Sequence, residues 1–481
     1  METRSKAGIM SLWSVPRNLL SLILRVLSKL LCHCAGLLKK FRQDGPSMPQ
    51  LPQDILMDIF ATLEIPDLVR VGSVCSSWRS AYTALRDHGQ YKRSQTPCLL
   101  YTSESAGKNT VCLYSLGEKR SYKVTLPEPP IRSRFLVGSS HGWLVTVDDR
   151  SEMHIVNPIT GEQIALPSVT TIEHVKPIVD ESGLVQGYEL SRHTARRVYY
   201  RLSDPEHLKL HVNPTFDKFE AIGKYEPTEY MFYYPDQRRT LALAELREYL
   251  QYKAFVFPDE KSKGSYIVAL IHNPMNQLSF SRAGDDKWIW LPPYTDYEDC
   301  SYSDGLLYAI TLRGAIHAFD INGPVIMRKI IMGMTLDRLT DCTYIVHAPW
   351  GDLLNVQRIV DEEDANVGSS EHVLRSTTEI KINKVDTRAK KLEEFKCLDD
   401  HVLFLGHNQS LCLSAKDHPH LKANHAYCTD NSYLYIHGFK NNRRDIGIFN
   451  LESNSWDELV TQPRSNWPTP MWITLNLAKM N

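Results

Sequence analysis

The densest set of side chains that could ligate a metal or activate a nucleophile lies near the C-terminus: His401, His407, His418, His420, His425 and Cys428. A metal site wants two close ligand pairs. Only His418-Pro419-His420 is close, in a turn-like run, so loop and surface histidines are the better reading and no metal is expected. Asp285-Asp286 and Asp399-Asp400 are adjacent acids, the pattern of solvated turns, and nothing sets them across a cleft for acid–base work. The chain contains no GxGxxG, GxxxxGK[ST], HExxH or GxSxG. Ala106-Gly107-Lys108 lacks the upstream glycine of a phosphate loop. The expectation is therefore a recognition protein with no catalytic residue and no cofactor.

The elements around these residues fall into three parts: a basic amphipathic N-terminal helix and linker (1–45), a compact helical block (46–93), and a long β-rich region (94–481) with insertions near 191–252 and 357–378. The chain has 481 residues, 42% hydrophobic and 23% charged, with a net charge of −1. That suffices for large cores and gives no basic excess for nucleic acid. The ten cysteines show no disulfide spacing, which implies a reducing compartment. Asn408-Gln409-Ser410 is a formal glycosylation sequon read here as chance.

Residues 9–42 carry leucines with polar or small residues at helical spacing and no acid between Glu2 and Asp44. Arg25 and Lys29 interrupt the apolar run a spanning helix needs. A transit peptide shares the acid-poor, Arg-containing composition. A basic amphipathic helix on a membrane surface or partner fits best. Cys32-His33-Cys34 is read as apolar helix surface in preference to a lipidation or metal site.

In the block LPQDILMDIFATLEIPDLVRVGSVCSSWRSAY (51–82), Pro52 and Asp54 suit a helix start. Ile55, Leu56, Ile59, Phe60 and Leu63 share a face. Pro66 and Asp67 start a second helix, with Leu68, Val71, Cys75 and Trp78 as its stripe and Gly72 inside it. Two such helices cannot bury both faces alone, so a docking hairpin is expected. The residue identities (Leu51-Pro52, Asp54, Ile55-Leu56, Ile59-Phe60, Asp67-Leu68, Val74-Cys75, Trp78-Arg79) resemble an F-box. The resemblance implies binding of the Skp-type adaptor of cullin-based ubiquitin ligases through Leu51, Pro52, Ile55, Leu56, Ile59, Leu68, Val74, Cys75 and Trp78.

From about Thr96, short alternating apolar runs are separated by turns. A hairpin unit recurs as YSLGEKRSYKVTLP, VNPITGEQIALP, SRAGDDKWIWLP, FDINGPVIMRK, KVDTRAKKLEEF and FNLESNSWDELV. Four short strands per repeat predict an all-β propeller of six to eight blades, with seven favoured from length. Thr240–Lys253 reads as an inserted helix and 360–378 as an acidic mobile loop. Most tryptophans, Trp350 among them, are expected to pack between blades. HGWLVTVDDRSEMHIVNPITGEQIALPSV (141–169) and DIGIFNLESNSWDEL (445–459), with segments between them, resemble the plant F-box proteins that carry a kelch-like C-terminal propeller. That resemblance implies a substrate-recognition subunit of an SCF-type ligase in the nucleus or cytoplasm, with a cullin reached through the adaptor and an unknown substrate protein on the propeller. The rival readings are a membrane-tethered scaffold or sensor, and a propeller enzyme, for which no central cluster of reactive side chains is visible.

Overall fold

The computed structural model describes residues 51–191, 220–221 and 238–477, apart from 263, 274–275, 293–295, 336–341, 365–372, 432–439, 441 and 460–463. The basic stretch 9–42 lies outside the described residues. The chain divides into two units, Met1–Gln95 and Thr96–Asn481.

Among the described residues the first unit has three helices, where two were expected in the block 51–82: α1 (Gln53–Phe60), α2 (Ile65–Val71) and α3 (Ser76–Asp87). The chain leaves the helical region after Gly72, and Cys75 is extended at φ −158°. Trp78 therefore sits on α3, off the α2 stripe. Gly72 is the C-cap of α2 and not an interior residue. A Cβ there would lie 2.8 Å from Tyr82 Cδ1 on α3, so the glycine permits close contact between the helices. Phe60 and Trp78 meet edge to face at 5.4 Å, within a core of Leu56, Leu63, Ile65, Leu68, Val71 and Leu85.

The second unit holds seven sheets among the described residues. Six are blades. Blade 1 combines Met471–Ile473 with Cys98–Tyr101, Thr110–Ser115 and Arg120–Thr125, so the last strand of the chain closes the ring as the first strand of the first blade. Blades 2 to 5 begin at Phe135–Ser140, Gln251–Pro258, Tyr297–Ser303 and Cys342–His347 and run outward in antiparallel order. Blade 6 begins at Leu411–Ser414, which pairs with His401–Leu405. The first strands of successive blades are neighbours from blade 1 through to blade 6. Blades 2 and 3 approach so closely that a Cβ on Gly138 would meet Ala254 O at 1.9 Å.

The seventh sheet is not a blade. Val175–Val179, Val185–Ser191 and Arg238–Ala242 form a three-stranded sheet. It packs Tyr188, Leu190 and Leu241 into the core shared by blades 2 and 3. The described residues thus form six blades around the axis, within the expected range of six to eight but one fewer than the seven favoured. The helix expected from Thr240 is absent. Arg238–Ala242 pairs with Ser191–Gly187, Leu246–Glu248 is one 3-10 turn, and Gln251–Pro258 is the first strand of blade 3. Leu241, Leu246 and Leu250 still reach one core, but by way of strand, turn and strand. Strand pairing also overrides the acidic composition at both ends of 360–378, whose middle, 365–372, lies outside the described residues. Leu353–Asp364 and Val373–Asp386 form one long hairpin.

Several histidines are buried in this framework. Burial pulls His272 down to about 4 and His317 to about 3. His317 Nδ1 lies 2.7 Å from the Tyr297 hydroxyl. The fold favours the neutral rings, so their contribution is complete above the ordinary pKa of 6.5 and is lost as pH falls towards 4 and 3. Each should cost about 2 kcal/mol at pH 5. Urea unfolding of wild type against His317→Gln at pH 7 and pH 5 should show the gap between the two narrowing by about that amount at the lower pH.

Candidate functional site

The nine residues expected to meet an adaptor separate by burial. Leu56, Ile59, Leu68 and Trp78 lie inside the helical unit, Leu68 at 0% and Trp78 at 9% exposure. Leu51, Ile55 and Val74 are half-buried, and Pro52 and Cys75 are exposed. The buried four hold the helices together and the outer five are the surface. The segment after α3 braces the turn between α1 and α2. Tyr91 Oη donates to Leu63 O at 2.6 Å, and Gln95 Oε1 accepts from Ile65 N at 2.8 Å. Burial pushes the Tyr91 phenol upward in pKa, which keeps it a neutral donor. Nothing in the helical periodicity marked Tyr91 or Gln95, because their role is set by contacts some thirty residues back in the chain.

At the propeller axis the first strands are joined by buried polar groups. Lys253 Nζ of blade 3 donates to Asp299 Oδ1 of blade 4 at 2.8 Å and to Gly406 O at 3.0 Å. Asp299 Oδ2 accepts from Ile345 N of blade 5 at 3.1 Å and from Ser410 Oγ, at the start of blade 6, at 2.6 Å. Gln409 N donates to Ser139 O of blade 2 at 2.8 Å. Ser139 Oγ in turn donates to Trp472 O of blade 1, and Ser140 Oγ donates to Val256 O of blade 3 at 2.7 Å. One polar belt therefore touches all six blades. Burial raises the Asp299 carboxyl in pKa, with Lys253 pulling against it. Burial lifts the neighbouring Glu298 to about 7, where Tyr252 Oη donates to it at 2.7 Å. Both partners of the Lys253–Asp299 pair are essentially unexposed, so their chemistry is spent on the blades.

The histidine and acid candidates do not converge. Among the described residues no three His, Cys, Asp or Glu side chains gather to hold a metal. His420 is exposed, as expected of a loop histidine. His407 and His418 are buried, contrary to expectation. The loop bearing His418 packs back on blade 1, where its Nδ1 meets Thr96 Oγ1 at 2.9 Å. Asp285 accepts from Arg282 N at 2.8 Å, and Asp400 pairs with Lys416 at 2.6 Å; both are turn or surface acids. Asn408 is 1% exposed and Ser410 5%, so the sequon is part of the polar belt. Trp143, Trp288 and Trp472 are buried between strands and blades, whereas Trp350 is 39% exposed.

Two family descriptions match the chain: an F-box-like domain over residues 48–84 and the KIB1-4 beta-propeller over residues 113–450. Among curated proteins of Arabidopsis thaliana, it is similar to the putative F-box protein At4g22180, with 24% identity covering 87% of this chain and 91% of that protein. It is also similar to the F-box protein SKIP23, with 22% identity covering 88% and 95%. Of solved structures, apo AztD from Citrobacter koseri aligns with a TM-score of 0.27 at 10% identity, covering 78% of this chain and 97% of that one; a likeness that weak carries no argument.

Lys253→Met leaves the buried Asp299 carboxylate without its cation, and should lower stability by about 3–5 kcal/mol. Lys253→Met combined with Asp299→Asn should recover a large part of the loss, measured by thermal unfolding of both variants beside wild type.

Proposed function

The chain belongs to the KIB1-4 β-propeller family and carries an F-box-like domain, and from that premise we propose that it is the substrate-recognition subunit of an SCF-type ubiquitin ligase. The F-box docks a Skp-type adaptor, the adaptor brings a cullin, and the propeller holds a substrate protein for ubiquitin transfer. The chain acts by proximity and supplies no reacting group. The observation that carries the reading is the division of the F-box residues. Leu51, Pro52, Ile55, Val74 and Cys75 leave apolar surface outside a helical unit whose own core is already filled by Leu56, Phe60, Leu68 and Trp78. Such a surface on a packed unit is an interface. The propeller supports the reading as a rigid platform whose axis is occupied by structural pairs.

Leu51→Ala/Pro52→Ala should abolish co-elution with a plant Skp-type adaptor while leaving helical circular dichroism and the unfolding midpoint near wild type. Trp78→Ala should lose the adaptor differently. It removes a core side chain, costing about 3–5 kcal/mol, and the helical signal should fall with it. Wild-type protein that fails to co-elute would sink the ligase reading.

A further inference from the structure

Trp350 is the one aromatic among the exposed large apolar side chains of the described residues, and it is held from several directions. Its ring stacks on Phe395 at 5.8 Å and 17°, and the His401 ring meets it at 4.7 Å. Its indole N–H donates to Asp352 Oδ2 at 2.8 Å, and Asp352 is itself fixed by Lys384 Nζ at 2.9 Å. The turn carrying it bends at Gly351, φ +97°. A tryptophan fixed on its neighbours and open to solvent has already lost the side-chain freedom that binding would cost. Two acidic pairs, Glu393-Glu394 and Asp399-Asp400, flank Phe395 and His401 in the chain, all four exposed. Lys384 and Lys416 are paired with Asp352 and Asp400. Glu393, on the same strand face as Phe395, and Asp399 add two further exposed carboxylates beside these rings in the chain.

We propose that this platform between blades 5 and 6 is where the propeller grips an arginine-bearing segment of its partner protein. The inference deepens the substrate-receptor reading and rests on it. A guanidinium is planar, stacks on an indole face and donates paired hydrogen bonds to carboxylates at the same time. A lysine ammonium cannot do both in one plane. Apolar segments would leave the acidic rim unpaired, and acidic segments would be repelled by it.

The test uses the full chain co-purified with its adaptor and two short fluorescein-labelled peptides, one of alternating Arg and Gly and one with citrulline in place of each Arg. Fluorescence polarisation at low salt should show the Arg peptide bound at least about tenfold more tightly than the citrulline peptide. Trp350→Ala should weaken it by about the same factor. Glu393→Gln/Asp399→Asn, which leaves the ring stack intact, should weaken it as well and flatten its salt dependence. Equal binding of both peptides, or Arg-peptide binding unchanged in Trp350→Ala and in the charge variant, overturns the proposal. No binding by wild-type chain that still co-elutes with adaptor overturns the docking site and leaves the receptor reading standing. Loss of the adaptor itself strikes the receptor reading, whatever the peptide does.

Discussion

A buried lysine–aspartate pair at the propeller axis is the interaction on which the rest of this structure depends. Taking two charges out of water costs several kcal/mol per ion, and only close geometry with further hydrogen bonds returns it. Asp299 meets that demand with donors from three other blades: Lys253, Ile345 N and Ser410. Apolar packing between blades tolerates sliding. A carboxylate with three fixed donors does not, so the pair sets the register of the strands around the axis. Through Gln409, Ser139 and Ser140 the same belt reaches blades 1 and 2, where the C-terminal strand closes the ring. The belt thus fixes the first strand of every blade at the centre of the propeller.

The helical unit solves a different problem with fewer residues. Its core is narrow, and α1, α2 and α3 share Phe60, Leu68, Val71 and Trp78. With the aromatic and most of the leucines committed inward, the surface left over is small and built of Leu51, Pro52, Ile55, Val74 and Cys75.

Much of this was legible in the chain, and what was missed has physical causes. The six repeated hairpin units each fall on the outer strands of one blade: Thr110–Ser115 with Arg120–Thr125, for example, and Gly447–Asn450 with Ser455–Glu458. Their turns close on residues with positive φ at Lys119, Gly161, Gly284, Lys390 and Asn454. The units thus held the blade number, and it was chain length that argued for seven, because the peripheral sheet at 175–191 and 238–242 occupies sequence without adding a blade. Leu241, Leu246 and Leu250 have helix-like spacing, but a shared core can be reached from strand and turn as well. The acids of 360–378 hid a hairpin whose Arg358 and Thr377 both bind Asp445 of blade 6, at 2.8 and 2.6 Å. The polar belt was invisible because Lys253, Asp299 and Ser410 come from separate repeats, and periodicity reports only which face is buried. Trp350, grouped with the packing tryptophans, stands apart because it sits in the turn between the first two strands of blade 5, where it stays 39% exposed.

Assembly with the cullin tests the account most directly. Full-length chain, a plant Skp-type adaptor and the N-terminal half of a cullin would be mixed and run on size-exclusion chromatography with light-scattering detection. The account predicts one species with the mass of a 1:1:1 complex, lost when residues 48–84 are deleted and retained when Trp350 is changed. A cullin that elutes free of the wild-type chain, with the adaptor present and folded, would contradict it.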